Sequence, residues 1–299
     1  MISRRSFVAT SAAAACVPYL RAVAPLHPVK GAARLRLALA AYSFRDDLVA
    51  KKDGTPARMD LFKFIDFCAE NDVPGAELTS YYFKPNPDVE YLTQLRRHAH
   101  LRGVTISGTA VGNNFTLPSG EKRDAEIAGV KRWIERAAIL GAPHIRVFAG
   151  KSAEGQTKEE AKRLCVGALE ECAEAAGQHG IFLGIENHGG IVAEADDLLE
   201  IVRAVKSTWV GINLDTGNFQ TDDPWGDLAK CAPYAVNVQY KAFVHPRGAQ
   251  EKQPGDAPRT AKLLRDAGYS GWVALEYELK EDPWIQVPII LADMRPQMG

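Results

Sequence analysis

Cysteine is sparse in this chain: five residues in 299, none of them in a C-x-x-C pair. That pattern excludes a disulfide framework. Cys68, Cys165 and Cys172 lie in helix-like apolar contexts, where a free thiol behaves as a small hydrophobe. Charge of one sign is equally lacking, with 36 Lys+Arg against 37 Asp+Glu for a net charge of −1. A basic face is not implied, so nucleic acid is not expected as a partner. There is no low-complexity linker and no charge block to mark a domain boundary. No apolar stretch is long enough for a membrane span, and no stable membrane anchor is expected. What remains, 46% hydrophobic and 24% charged residues, is the make-up of a soluble globular protein with ample length for a large core.

Residues 1–24, MISRRSFVATSAAAACVPYLRAVA, hold three basic residues (Arg4, Arg5, Arg21) and no acid. A Ser-Arg-Arg-Ser-Phe run precedes a mildly apolar, Ala-rich stretch, and Ala22-Val23-Ala24 supplies an A-x-A cleavage pattern. This resembles a twin-arginine export signal and predicts a periplasmic or otherwise exported protein, cut between about residues 24 and 33.

Beyond it, short β-branched runs recur at 34–41, 75–78, 105–111, 144–149, 181–185, 210–214, 235–240 and 272–275. Longer stretches of helical periodicity separate them, such as Leu61-Phe62-x-Phe64-Ile65-x-x-Cys68-Ala69. Thr157-Lys-Glu-Glu160 predicts a capped helix running to about His179, and Gly103, Gly141, Gly180 and Gly268 stand where helices should end. Eight such repeats argue for an α/β fold, a single (β/α)8 TIM barrel over residues 34–295. A doubly wound sheet would want a glycine-rich phosphate loop after the first strand, and Ala41-Tyr42-Ser43-Phe44 offers none.

Active residues of such barrels sit at the C-terminal strand ends. Four consecutive strands run into groups able to bind a cation: Glu186-Asn187-His188, Asp215-Thr-Gly-Asn218, Gln239-Tyr-Lys241 and Glu276-Tyr-Glu278. Alternation tests whether they share the lumen. Ile212 and Leu214 facing the helices put Gly211, Asn213 and Asp215 inside. Val273, Leu275 and Tyr277 facing out leave Ala274, Glu276 and Glu278 inside. Gly184, Glu186 and His188 share a face, as do Asn237, Gln239 and Lys241. Carboxylates gathered at one point repel unless a cation neutralises them. Oxygen-rich ligation predicts one divalent cation, Mn²⁺ foremost, with Co²⁺ and Mg²⁺ as further candidates.

These four motifs, in this order, resemble the xylose-isomerase-like TIM-barrel family, which includes ketose 3-epimerases, inosose dehydratases and isomerases, and endonuclease IV. The resemblance implies metal ligation by Glu186, Asp215, Gln239 and Glu276, with Gln239 standing where the epimerases have His. An amide oxygen still ligates a hard cation. It also implies that Glu186 and Glu276 are catalytic and move the substrate proton. The endonuclease branch needs many histidines. This chain has seven, and Asn218 stands where that branch has a metal-binding His.

Among the remaining polar residues, His188, Lys241, Arg146, Tyr42, Asn218 and His245 are the candidates for substrate contact. Arg146 reaching Glu186 as a structural ion pair is an equal alternative. Tyr42 and Phe44 suit an apolar wall, Trp225 and Trp284 either sugar stacking or helix packing, Arg247 an anionic substituent, and Glu77 a supporting acid. The chemistry expected is proton transfer through an enediolate, an isomerase or epimerase acting on a sugar or polyol. A lyase expelling a β-substituent from a keto-sugar, keto-glycoside or keto-cyclitol stays open beside it, as does a carbohydrate-binding barrel without activity. The expected partner is a small carbohydrate, and self-association into a homo-oligomer is left open.

Overall fold

A computed structural model describes residues 25–26 and 33–298; the export-signal segment lies outside them. Eight parallel strands close into a barrel: β1 (Leu35–Ala40), β2 (Gly75–Thr79), β3 (Thr105–Ala110), β4 (His144–Phe148), β5 (Phe182–Glu186), β6 (Val210–Asp215), β7 (Ala235–Tyr240) and β8 (Gly271–Leu275), with β1 paired to both β2 and β8. Each strand is followed by a helix: α1 (Leu61–Glu70), α2 (Val89–Leu101), α3 (Glu121–Leu140), α4 (Lys158–His179), α5 (Ala195–Ala204), α6 (Pro224–Cys231), α7 (Ala257–Asp266) and α8 (Pro283–Met294). A two-stranded ribbon, Phe243–Val244 with Gln253–Pro254, sits in the loop after β7.

The helices start where short polar side chains offer caps. Asp60, Asp88, Thr157, Asp223 and Asp256 each accept from the amide three residues on, contacts of about 1 kcal/mol apiece. Gly141 and Gly180 close α3 and α4 in the left-handed region, at φ 76° and 66°, which a glycine adopts without strain. Outward-facing Leu37, Leu39, Ile145, Val147, Ile185, Ile212, Leu214, Val273 and Leu275 are buried in one continuous core with the inner helix faces.

The lumen is filled by pairing large residues with small ones. Trp272, Ala38, Ala40 and Ala274 form a separate inner cluster, and Arg36 stacks on the Trp272 ring at 4.1 Å. A Cβ on Gly75 would lie 2.7 Å from both Ala38 Cβ and the Trp272 ring, and one on Gly108 would lie 1.8 Å from the His144 ring. These two glycines therefore leave room in the lumen for bulky side chains from other strands. Two register shifts interrupt the ladders, one between Ala76 and Glu77 on β2 and one between Ile212 and Asn213 on β6. Both precede a residue that points into the lumen, as bulges beside functional sites commonly do.

Candidate active site

The C-terminal mouth of the barrel holds a buried, charged cluster. Glu186 ends β5 at 3% exposure, Asp215 ends β6 at 0%, and Glu276 follows β8 at 7%. Lys241, just past β7, places its Nζ 3.3 Å from Asp215 Oδ2, 3.0 Å from Glu276 Oε1 and 2.7 Å from Glu278 Oε2. On the other side Arg146, from β4, sets its Nε 3.0 Å from Glu186 Oε2 and donates from Nη1 to the Val111 carbonyl at 2.9 Å. Asn218 Nδ2 donates to the second oxygen of Glu186 at 2.8 Å.

Each carboxylate is held by its neighbours. The amide side chain of Asn187 clamps the backbone of Asp215, donating to its carbonyl and accepting from its N–H, both at 2.8 Å. Asp215 Oδ1 accepts from the Gly217 amide at 2.8 Å, while Asp215 Oδ2 has no hydrogen-bond partner among the described residues. Lys241 is anchored at its own amide, which donates to Thr216 Oγ1 at 2.9 Å.

The electrostatics follow from burial. Four carboxylates, Glu186, Asp215, Glu276 and Glu278, face two cations, Arg146 and Lys241, so that full ionisation would leave an excess of two negative charges. Burial pushes Glu186 up to about 8, against the pull of Arg146, with Asp215 and Glu276 adding to the rise. Burial likewise raises Asp215 to about 7, opposed by Lys241, and raises Glu276 above the ordinary carboxylate range. Lys241 stays protonated: burial works against its charge, but Asp215, Glu276 and Glu278 outweigh it. Burial and then Arg146 lower the pKa of His188.

Among the described residues no three His, Cys, Asp or Glu side chains converge closely enough to enclose an ion as they stand; the carboxylates are gathered on Lys241. The donor chemistry nonetheless suits a hard divalent cation. Every candidate donor is an oxygen, one buried oxygen of Asp215 accepts no hydrogen bond and meets only the Lys241 ammonium, and the excess charge of the ionised cluster is that of one such ion. Glu278 gives the Lys241 ammonium a partner apart from the three deeper carboxylates.

Several residues singled out in the sequence are placed elsewhere or differently. Gln239 spends both ends of its amide below the cluster: Nε2 donates to Glu77 Oε1 and Oε1 accepts from Asn213, each at 2.6 Å. His188 turns its ring against Phe148 at 4.7 Å and lines a cavity of about 420 Å³ with Asn218, Gln220 and Arg247. His245 donates from Nε2 to the Ala249 carbonyl at 3.0 Å, within its own loop. Tyr42 is half-buried near Glu278 and Glu276, and burial followed by their charge raises its pKa. Phe44 forms no wall of the site, because its ring packs at 4.8 Å on Phe67 and 5.1 Å on Trp284 in the helix layer. Trp284 donates to Asp47 at 2.8 Å, and Trp225 carries the Arg259 guanidinium at 4.2 Å, so both are packing residues. Arg247 pairs with Glu194 and so is not a free cation.

Asn187, Thr216 and Tyr81, which lies near Arg146, were not singled out in the sequence. Asn187 directly follows Glu186, but nothing in the chain order announces that its amide would reach the next strand.

A family model described as xylose isomerase-like TIM barrel matches residues 62–293. The chain belongs to that family. Among solved structures, D-psicose 3-epimerase from Clostridium cellulolyticum H10, with D-tagatose, aligns at 17% identity over 86% of this chain and 89% of that one, TM-score 0.68. The IOLI protein with a bound zinc atom aligns at 17% identity, 88% and 96% coverage and TM-score 0.69. A D-tagatose 3-epimerase-like protein gives 19%, 87% and 97%, and 0.66. At these identities the likeness bears on the fold. No curated protein sequence is significantly similar.

Proposed function

We propose that this barrel is a divalent-metal-dependent sugar isomerase or epimerase, which moves a proton on the carbon next to a carbonyl through an enediolate. The observation that carries the reading is the meeting of Glu186, Asp215, Glu276 and Glu278 at the barrel mouth, which when ionised carry two more negative charges than Arg146 and Lys241 offset. Glu186, Asp215, Gln239 and Glu276 would hold the cation, Mn²⁺ foremost. When bound, it supplies Lewis-acid stabilisation of charge developing on a substrate oxygen. The zinc of the IOLI protein and the ketose ligand of the epimerase support the same class of site.

The protein's own groups divide the rest of the work. Glu276 and Glu186 enter the mouth from different strands, and burial raises both toward neutrality, where a carboxylate is an effective base. One takes the proton from the substrate carbon and the other returns it. Lys241, with its ammonium on Glu276 and Asp215, donates to a substrate hydroxyl or carbonyl. Arg146 pairs by charge with one oxygen of Glu186 and Asn218 donates to the other, which together fix its orientation. Tyr42 stands at the rim as a substrate contact.

The test is proton exchange. Protein loaded with Mn²⁺ or Co²⁺ is incubated in D₂O with a panel of ketoses and 3-keto-glycosides and followed by NMR. Metal-dependent replacement of a C–H proton, with isomer formation, is expected. Release of water or an alcohol would make the enzyme a lyase, and no exchange with any member would sink the enzyme reading.

Export is part of the proposal. It rests on Arg4-Arg5 before the Ala-rich run. Replacing both arginines with lysine should block appearance of the protein outside the cytoplasm; unchanged export would show that the twin-arginine reading is wrong.

A further inference from the structure

Beneath the charged cluster the lumen holds a closed ring of four buried side chains from three strands. Gln239 Nε2 donates to Glu77 Oε1 at 2.6 Å, and Asn213 Nδ2 donates to Gln239 Oε1 at 2.6 Å. Asn237 Nδ2 donates both to Asn213 Oδ1 at 2.8 Å and to Glu77 Oε2 at 2.7 Å. Glu77, Asn213 and Asn237 are fully buried and Gln239 is 2% exposed.

Three ring members carry both a donor and an acceptor and could each be turned either way. Glu77 cannot: an ionised carboxylate only accepts. Each amide beside it must therefore present nitrogen, and the sense of the whole ring follows. The Glu77 carboxylate turns Gln239 so that its nitrogen faces down the lumen and its oxygen is the remaining end, with Asn213 taking one of two lone pairs. The register shifts fall immediately before Glu77 and Asn213, and the second leaves Val236 unmatched, so that Asn237 lies directly opposite Asn213. His144 also lies near Glu77, with Nε2 3.7 Å from Oε2.

We propose that Glu77 is the positioning residue that makes Gln239 a metal ligand, by fixing which end of its amide is free to ligate. The inference rests on the reading of Gln239 as a ligand. A histidine at this position would need no such help, because a ring nitrogen ligates whichever neighbour the other nitrogen meets. Glutamine has one ligating end and one repelling end, and in a buried site a wrong orientation would set N–H groups against the cation.

The experiment titrates Mn²⁺ into purified full-length protein by calorimetry, using wild type, Glu77→Gln, Gln239→His, the double variant and Asn237→Ser. Circular dichroism reports folding. Glu77→Gln keeps shape and hydrogen bonding but accepts or donates equally, so it should weaken Mn²⁺ binding by about 10–100-fold, the usual effect of losing a group that orients a ligand. In the Gln239→His background the same substitution should cost far less, a non-additivity that a general packing role would not produce. Asn237→Ser removes two ring bonds, leaves Glu77 on Gln239, and should bind close to wild type, a check that stands if Glu77→Gln does not fold.

Unchanged affinity in Glu77→Gln, an equal loss in both backgrounds, or an equal loss in Asn237→Ser would overturn the inference while the metal-dependent reading survives. Wild-type protein that binds no Mn²⁺ would overturn that reading and this inference with it.

Discussion

Glu276→Gln is expected to lower turnover by about 10²–10⁴, the common cost of losing a general base, while the protein keeps much of its bound metal. The amide is isosteric, its oxygen still ligates a hard cation, and it still accepts the 3.0 Å hydrogen bond from Lys241 Nζ. What it cannot do is take the substrate proton. Gln239→His, by contrast, should keep a ligand and leave activity measurable. The two variants are compared by exchange rate in D₂O and by metal content after purification. A Glu276→Gln protein with near-normal exchange would reduce Glu276 to a ligand and Lys241 partner, and the base would then be Glu186 or His188, since Lys241 is held protonated. The comparison needs only one ketose that exchanges its proton.

Arg146→Met should be the most destabilising single change at the site. Arg146 is 5% exposed, pairs with Glu186 Oε2 at 3.0 Å and donates to the Val111 carbonyl at 2.9 Å. Methionine approximates the side chain's volume but leaves a buried carboxylate uncompensated on the very group that burial already pushes to about 8. Removing one partner of a buried pair typically costs about 3–5 kcal/mol. Urea unfolding of metal-free protein measures it. The Arg146→Met/Glu186→Gln double variant should recover a substantial part of the loss, because no charge is then stranded. A loss for Arg146→Met below about 1 kcal/mol, the worth of a surface pair, would mean that water reaches Glu186 freely.

The sequence by itself determined the barrel and the inward direction of the charged groups. Each strand spans a few residues, and side chains alternate strictly along an extended backbone, so Glu186, Asp215, Gln239 and Glu276 could be assigned to one face from their neighbours alone. Helix ends were equally legible, because Thr157, Gly141 and Gly180 act through the backbone of their own turns.

Only the tertiary structure decided which polar groups pair with which. Parity says that Gln239 points inward; it does not say that its amide goes down to Glu77, 162 residues away in the chain. Nor does it show Asn187 reaching across to the backbone of Asp215. The two register shifts that bring Glu77 and Asn213 into the same ring arise from strand pairing, with no local signal at either position. Loop residues were the least legible, since no periodicity constrains them: His245 bonds within its own loop and Phe44 packs under the helices. Directions along a strand are set by local backbone geometry, whereas the partners of a buried polar group are set by whatever the closed barrel brings within about 3 Å of it.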